Sequence, residues 1–245
     1  MNDTSDIVII GGGVTGCAAA YYLSSLGVSS TIIESTDIAS QASGYAAGGL
    51  NPLEGYEIPG LLSDFAMNSY RMHLNLWNQL QDSTGIDYHG RVLNLLKVCY
   101  DDVSLSGLEK TKSVFENASE YGFKVDSLSA PEIVKLEPKL SESVVGGLHI
   151  YGNAGVESYE FTRALHQSAT QNGTRTIIGT VEGFVTVGDR VTGVRINDDV
   201  LYCDTVVIAT GPWTKNISDH LNLAIPVNPL KGQILRLRLK DGFIN

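Results

Sequence analysis

Hydrophobic and polar positions alternate along this chain in a way that separates short apolar runs from longer amphipathic ones. Asp6-Ile7-Val8-Ile9-Ile10 has no polar face after its first residue, as expected of a strand covered on both sides, and it breaks straight into Gly11-Gly12-Gly13-Val14-Thr15-Gly16. An Ala-rich helical stretch follows to Leu26, and Thr31-Ile32-Ile33-Glu34 reads as a second strand. Residues 61–81 place Leu62, Phe65, Ala66, Tyr70, Leu74, Trp77 and Leu80 at helical spacing, which predicts an amphipathic helix on a sheet with Trp77 in the core. Arg91 to Tyr100 is strand-like, and Asp101 to Tyr121 is a helix with Leu105, Leu108, Phe115 and Ala118 on one face and Gly122 after it. A short helix within Ala130 to Leu140 and a strand at Gly147 to Tyr151 complete a middle block that reads as a separate, inserted layer. Glu157 to Asn172 returns to an amphipathic helix with Gly173 as its C-cap. Thr176-Ile177-Ile178 is a strand, a hairpin turns at Gly188-Asp189, and Thr205 to Thr210 is apolar on both faces, as in a central parallel strand. Pro226 to Lys240 alternates Leu235, Leu237 and Leu239 with Arg236, Arg238 and Lys240, which predicts a strand with one buried face.

Between Ile38 and Pro52 no period is visible. The run of Ala, Ser and Gly there suits a backbone pressed against something flat and extended, where larger side chains would hold it away; flexible linkers carry more polar residues. The 245 residues include 27 acidic and 17 basic side chains, a formal net charge of −10, which argues against a nucleic-acid partner. Residues 7–23 are apolar but broken by glycines and preceded by Met1 to Asp6 without a positive charge, so the expectation is a soluble, cytoplasmic chain with no transmembrane segment. Cys17, Cys99 and Cys203 form no C-x-x-C pair and read as buried reduced thiols; the histidines lack metal-ligand spacing, and no metal is expected.

The glycines fall at G-x-G-x-x-G spacing between a strand and a helix. In that arrangement Gly11 permits the tight turn, Gly13 lets backbone approach a pyrophosphate, and Gly16 lets helix and strand pack closely. The helix N-terminus holds the anion through unpaired N–H groups and its dipole, and no Lys or Arg occurs before Arg71. Glu34 lies about twenty residues beyond the glycines, where a carboxylate accepts from ribose hydroxyls. An NAD-dependent dehydrogenase would use Gly11 to Glu34 but would leave the Ala42 to Leu50 loop without a role.

Gly11 to Gly16, Glu34, Ala42-Ser43 with Ala46 to Leu50, Val206 to Trp213, and Pro229-Leu230-Lys231-Gly232-Gln233 together resemble the D-amino-acid oxidase family of flavoproteins. That family includes glycine oxidase, sarcosine oxidase and D-amino-acid dehydrogenases, and the resemblance runs nearly the whole chain. It implies an α/β fold: a Rossmann-like FAD-binding domain with a parallel sheet, discontinuous over residues 1–85 and 146–225, and an inserted, incomplete α+β substrate domain over 86–145 and 226–245. It implies FAD in an extended form. Val14 and Thr15 would lie at the pyrophosphate, Glu34 and Ser35 at the ribose and adenine edge, and Ala42 and Ser43 beside the phosphate and ribityl chain. Ala47, Gly48 and Gly49 would run under the flavin ring, Val181 would meet adenine through its backbone, and Thr210 and Gly211 would end their strand beside the cofactor.

The reaction implied is oxidation of a small-molecule amine or amino acid of the glycine, sarcosine or D-amino-acid type, with hydride passing to flavin and then to oxygen or a quinone. Members of the family continue past Asn245 into the part that carries the substrate-gripping Arg, so the expectation is a truncated chain, and no catalytic residue is assigned. His89 and Arg91 read as surface residues. The alternatives are an FAD-dependent hydroxy-acid or polyol-phosphate dehydrogenase of the same fold, or a non-catalytic dinucleotide-binding fragment.

Overall fold

The computed structural model describes residues 3–55 and 57–235. In chain order its elements are β1 (Thr4–Ile10), α1 (Val14–Ser25), β2 (Ser30–Glu34), α2 (Ala42–Tyr45), β3 (Gly49–Leu50), α3 (Ser63–Thr84), β4 (Arg91–Cys99), α4 (Asp102–Asn117), β5 (Lys124–Ser129), α5 (Ala130–Leu136), β6 (Gly146–Gly155), α6 (Ser158–Gln171), β7 (Arg175–Ile178), β8 (Val181–Val187), β9 (Arg190–Ile196), β10 (Asp199–Ile208) and α7 (Thr214–Ser218). They divide into two compact units, the first built from Met1–Ala47, Asn78–Tyr88 and Glu157–Ile234, the second from Gly48–Trp77 and His89–Val156.

The first unit holds a six-stranded sheet in the order β7-β2-β1-β10-β9-β8. Strand β1 is central, parallel to β2 on one side and to β10 on the other, as its unbroken apolar run requires. Val8 and Ile9 are fully buried, and each such side chain contributes about 1.5–3 kcal/mol relative to exposure. The sheet does not stay flat. Strands β7 and β8 stand at opposite ends of the order yet only Gly179 and Thr180 separate them in sequence. Five inter-strand steps would need about 24 Å, and so short a link spans roughly 10 Å. Strands β8 and β9 therefore fold back over the parallel strands, and Val8, Ile10 and Ile33 share one core with Phe184, Val194 and Ile196. Strand β10 makes this possible by pairing with β9 through Asp199–Tyr202 and with β1 as far as Ile208. Helix α1 packs against α6, and the residues the two helices bury include Gly16, Ala20, Ala164 and Ala169, small enough for close approach. The hairpin turns at Gly188-Asp189 with Gly188 at φ +60°, as its sequence predicts.

The second unit is a separate sheet in which β6 pairs antiparallel with β3, β4 and β5. Phe115 and Ala118 at the end of α4 pack with Phe123, Leu148, Ile150, Met67 and Tyr70. Asp101 caps α4 by accepting from the Ser104 N–H at 2.7 Å, and Ser129 with Glu132 forms a capping box at α5. The amphipathic face expected from residue 61 is realised only from Met67 onward: Leu62 and Phe65 are 44% and 71% exposed, because the core they were expected to join begins one turn later. The loop from Ile38 to Pro52 is not wholly irregular. It contains the single turn α2 and the two-residue β3, elements too short to leave a period in sequence.

All three cysteines are free and buried. Among the described residues no helix is long and apolar enough to cross a membrane. Residues 222–235 adopt no regular element, and Arg236 to Lys240 of the expected terminal strand lie outside the described residues.

Candidate functional site

The glycine turn sits where three parallel strands end. The Gly11 N–H donates to the Ile33 carbonyl at 2.8 Å and the Ala209 N–H to the Ile10 carbonyl at 2.9 Å, so β2, β1 and β10 stop together. The glycines then do different jobs. Gly11 has φ +111°, and a Cβ there would stand 2.5 Å from the Ala209 carbonyl oxygen. A Cβ at Gly16 would stand 2.0 Å from the Gly11 carbonyl oxygen, and one at Gly12 would stand 2.6 Å from Ile38 Cδ1. Gly13 is unlike these. Its backbone is extended at φ −77°, and a Cβ would meet only Ser43 Oγ, at 3.0 Å. Gly13 is also the N-cap of α1 and brings no capping side chain; the first intrahelical bond runs from the Cys17 N–H to its carbonyl. The helix therefore leaves the N–H groups of Val14, Thr15 and Gly16 without acceptors of its own, and Val14 donates to Ser43 Oγ at 2.9 Å.

Glu34 closes the turn from the β2 side. One carboxylate oxygen accepts from the Gly12 N–H at 2.7 Å; the other accepts from the Ser35 hydroxyl and from the Thr36 N–H at 3.0 Å. The Thr36 hydroxyl also donates to that second oxygen, at 3.3 Å, so free lone-pair capacity for a ligand hydroxyl remains on the oxygen bound by Gly12. Glu34→Gln is accordingly expected to harm the fold as well as any ribose contact. The amide must point its NH₂ at either the Gly12 or the Thr36 N–H, a donor-to-donor clash that removes about 1–3 kcal/mol, read as a lower urea midpoint of the ligand-free chain.

These groups open on a cavity of about 710 Å³, within the range of roughly 300–1,000 Å³ usual for ligand sites. Gly11, Gly13, Val14, Thr15, Glu34, Ser35, Ala42, Ser43, Val181, Thr210 and Gly211 all line it. Gly16 stands behind the turn, against the Gly11 carbonyl. Ala47, Gly48 and Gly49 are not among the lining residues: Gly48, at φ +80°, accepts from the Val156 N–H, and Gly49 pairs with Gly155 in the sheet of the second unit. His89 and Arg91 are exposed residues of that unit. Lining residues that sequence reasoning missed include Asp37, Gly179, Thr180, Trp213, Asn216 and His220. The strand reversal between β7 and β8 and the short helix α7 bring most of them in, and no local motif announces either.

No Lys or Arg is among the described lining residues, which include the acids Glu34 and Asp37. An anion bound there would be held by backbone N–H groups and the α1 dipole, roughly half a positive charge. Cys17 lies under the turn, its thiol donating to the Gly12 carbonyl at 3.4 Å. Burial, and secondarily the Glu34 charge, push its pKa from 9.0 to about 12, so it is an inert neutral thiol and no nucleophile. Stability from the buried neutral thiol is fully present below pH 9, where the unfolded thiol is also protonated, and is lost as pH rises toward 12. That loss is at most about 1.4 kcal/mol per pH unit. Urea midpoints taken on either side of pH 9 should fall more steeply for the wild type than for Cys17→Ala.

The cavity thus supplies a glycine turn, N–H donors at a helix start that α1 itself does not use, and a carboxylate one strand away. That set fits the pyrophosphate and adenosine ribose of a dinucleotide. A family model described as FAD dependent oxidoreductase matches residues 6–245. The chain is 31% identical over 240 residues to the bifunctional protein ThiO/ThiG of Nostoc sp., which covers 98% of this chain and 35% of that protein. It is 26% identical over 237 residues to glycine oxidase of Bacillus licheniformis, covering 96% of this chain and 62% of that one. The crystal structure of glycine oxidase from Bacillus cereus superposes with a TM-score of 0.79 at 27% identity, over 89% of this chain and 59% of that one. The chain therefore spans 35% and 62% of the lengths of these two sequence relatives. Its fold, its glycine cradle and the match from residue 6 onward agree, and the chain belongs to the FAD-dependent oxidoreductase family, with FAD as its cofactor.

Proposed function

We infer that this chain is part of an oxidoreductase that removes two electrons from an amine or amino acid of the glycine, sarcosine or D-amino-acid type and passes them to oxygen or a quinone. The observation that carries the reading is the cavity at the N-terminus of α1, where a Cβ at Gly13 would meet only the Ser43 hydroxyl oxygen while Glu34 flanks the turn. The substrate class comes from relatives named glycine oxidase. In this reading the first unit serves as the FAD-binding domain and the second as part of the substrate domain. Bound FAD supplies the hydride acceptor.

The chain's own residues bind and orient. The N–H groups of Val14, Thr15 and Gly16 receive the pyrophosphate, and the Ser43 hydroxyl, now held by Val14, turns to share it. Glu34 fixes the turn through Gly12 while receiving ribose hydroxyls, and the start of β8 at Val181 presents backbone to the adenine. Ala42, Thr210 and Gly211 leave room along the cavity wall for the chain that leads to the flavin. With no Lys or Arg among the described lining residues, affinity depends on how well the N–H groups are aimed, and so on the glycine turn itself.

The test is anaerobic mixing of the FAD-loaded oxidoreductase of which this chain is part with glycine, sarcosine, D-alanine and glycerol 3-phosphate in turn. Loss of the flavin's visible absorbance with at least one amine and none with glycerol 3-phosphate is the expected result. Bleaching by glycerol 3-phosphate alone would move the activity to polyol phosphates.

A further inference from the structure

We propose that Asn216 reads the adenine base of the bound dinucleotide, its side-chain amide accepting from the 6-amino group and donating to N7. The inference rests on the placement of the adenosine at Glu34 and Val181 given above and names the side chain that selects the base. It starts from the helical run after β10, where Gly211–Trp213, α7 and Asp219–Leu221 follow one another without a break. Trp213, Asn216, Ile217 and His220 recur there at i, i+3, i+4 and i+7, one face of a helix, and all four line the cavity.

Ile217 fixes where that face stands. It is 9% exposed and shares a core with Val181 and Phe184, so the run packs against the start of β8. His220 lies farther along β8, where a Cβ added at Gly183 would stand 4.0 Å from its Nδ1. Trp213 lies one turn nearer the end of β10, on the side of Gly211. Asn216, next to Ile217, is thus the polar side chain level with Val181. Glu34 is close by, its carbonyl accepting at 2.8 Å from the N–H of Gly179, two residues before Val181. A base whose ribose sits at Glu34 and which meets the Val181 backbone therefore falls beside Asn216.

Several polar side chains of the lining are already engaged by the protein. Ser43 is held by Val14, Asp37 accepts from the Ile38 N–H at 2.8 Å, and the Thr214 hydroxyl donates to the Gly211 carbonyl at 2.7 Å. The Asn216 amide has no partner among the described residues. A carboxamide offers an acceptor and a donor side by side and no charge. Adenine presents the complementary pair, its 6-amino donor beside the N7 acceptor, the same pair that asparagine contacts in the DNA major groove. A 6-oxopurine presents two acceptors there and leaves Oδ1 facing one of them. The opposite edge of the adenine stays free for the Val181 backbone.

ADP and its 7-deaza analogue, in which C–H replaces N7, are titrated by calorimetry into the flavin-stripped oxidoreductase of which this chain is part and into its Asn216→Leu variant. The wild type should bind 7-deaza-ADP about tenfold more weakly than ADP, equivalent to about 1.4 kcal/mol. Asn216→Leu should bind ADP about tenfold more weakly than the wild type does and bind the two ligands alike, because no donor remains to tell N7 from C–H. Wild-type affinities for the two ligands within about twofold of each other overturn the proposal, a comparison that needs no variant to fold. So does an Asn216→Leu variant that keeps the wild-type preference for ADP, which places the N7 contact elsewhere. Either result leaves the cavity's hold on the dinucleotide standing, whereas a wild type that binds no ADP removes the placement beneath the inference.

Discussion

Gly16→Ala should leave the first unit without a stable fold. The added carbon would lie 2.0 Å from the Gly11 carbonyl oxygen and 3.3 Å from Ile9 Cγ2, and neither neighbour can retreat. Gly11 is pinned by its own N–H bond to Ile33, and Ile9 is fully buried in the central strand. Ordinary overpacking of a core costs about 1–3 kcal/mol when side chains can shift; a collision with backbone at this distance exceeds that range and takes a large share of the roughly 5–15 kcal/mol that holds a domain together. Circular dichroism melts and urea midpoints read the effect directly. A Gly16→Ala chain with the wild-type midpoint would show that α1 does not approach β1 as closely as the structure has it.

Gly13→Val should produce the opposite pattern, a folded chain that no longer holds FAD. Its φ of −77° is open to any residue, and the only atom near a new Cβ is the rotatable Ser43 hydroxyl, so the fold loses no more than the ~1 kcal/mol typical of a changed N-cap. The valine methyls would occupy the space in front of the Val14 and Thr15 N–H groups. An anion pushed away from those donors loses charge-assisted hydrogen bonds, and a fall in affinity of ~100-fold or more, about 2.8 kcal/mol, is the expected outcome. Thermal melts on the same samples separate the two effects. Two glycines three residues apart in one motif thus fail in different ways, the first by collision and the second by exclusion of a ligand.

The parallel half of the first sheet was legible because its strands are apolar on both faces and its turn is spelled in glycine. Val8, Ile9, Ile33 and Val206 stand where their pattern puts them. The helices at residues 63–84, 102–117 and 158–171 were legible from their periodicity, and the Gly188-Asp189 hairpin from its turn residues. What sequence did not disclose depends on long-range geometry. Nothing local to Gly179-Thr180 says that the chain reverses over the sheet there, and that reversal carries Thr180 and Val181 to the cavity. Glu34 was found as a ligand group, but its second task, holding the Gly12 N–H, is visible only when the ends of β1 and β2 are seen side by side.

The central claim is that the glycine cradle and Glu34 hold the dinucleotide part of FAD, and it is tested most directly by titrating the flavin-stripped chain with FAD in the presence and absence of ADP. Flavin fluorescence should be quenched to a sharp end point at one FAD per chain, ADP should compete because it carries the pyrophosphate and adenosine ribose that this cavity receives, and riboflavin should not. Equal FAD binding by wild type and Gly13→Val, or binding that ADP leaves untouched, would contradict the account.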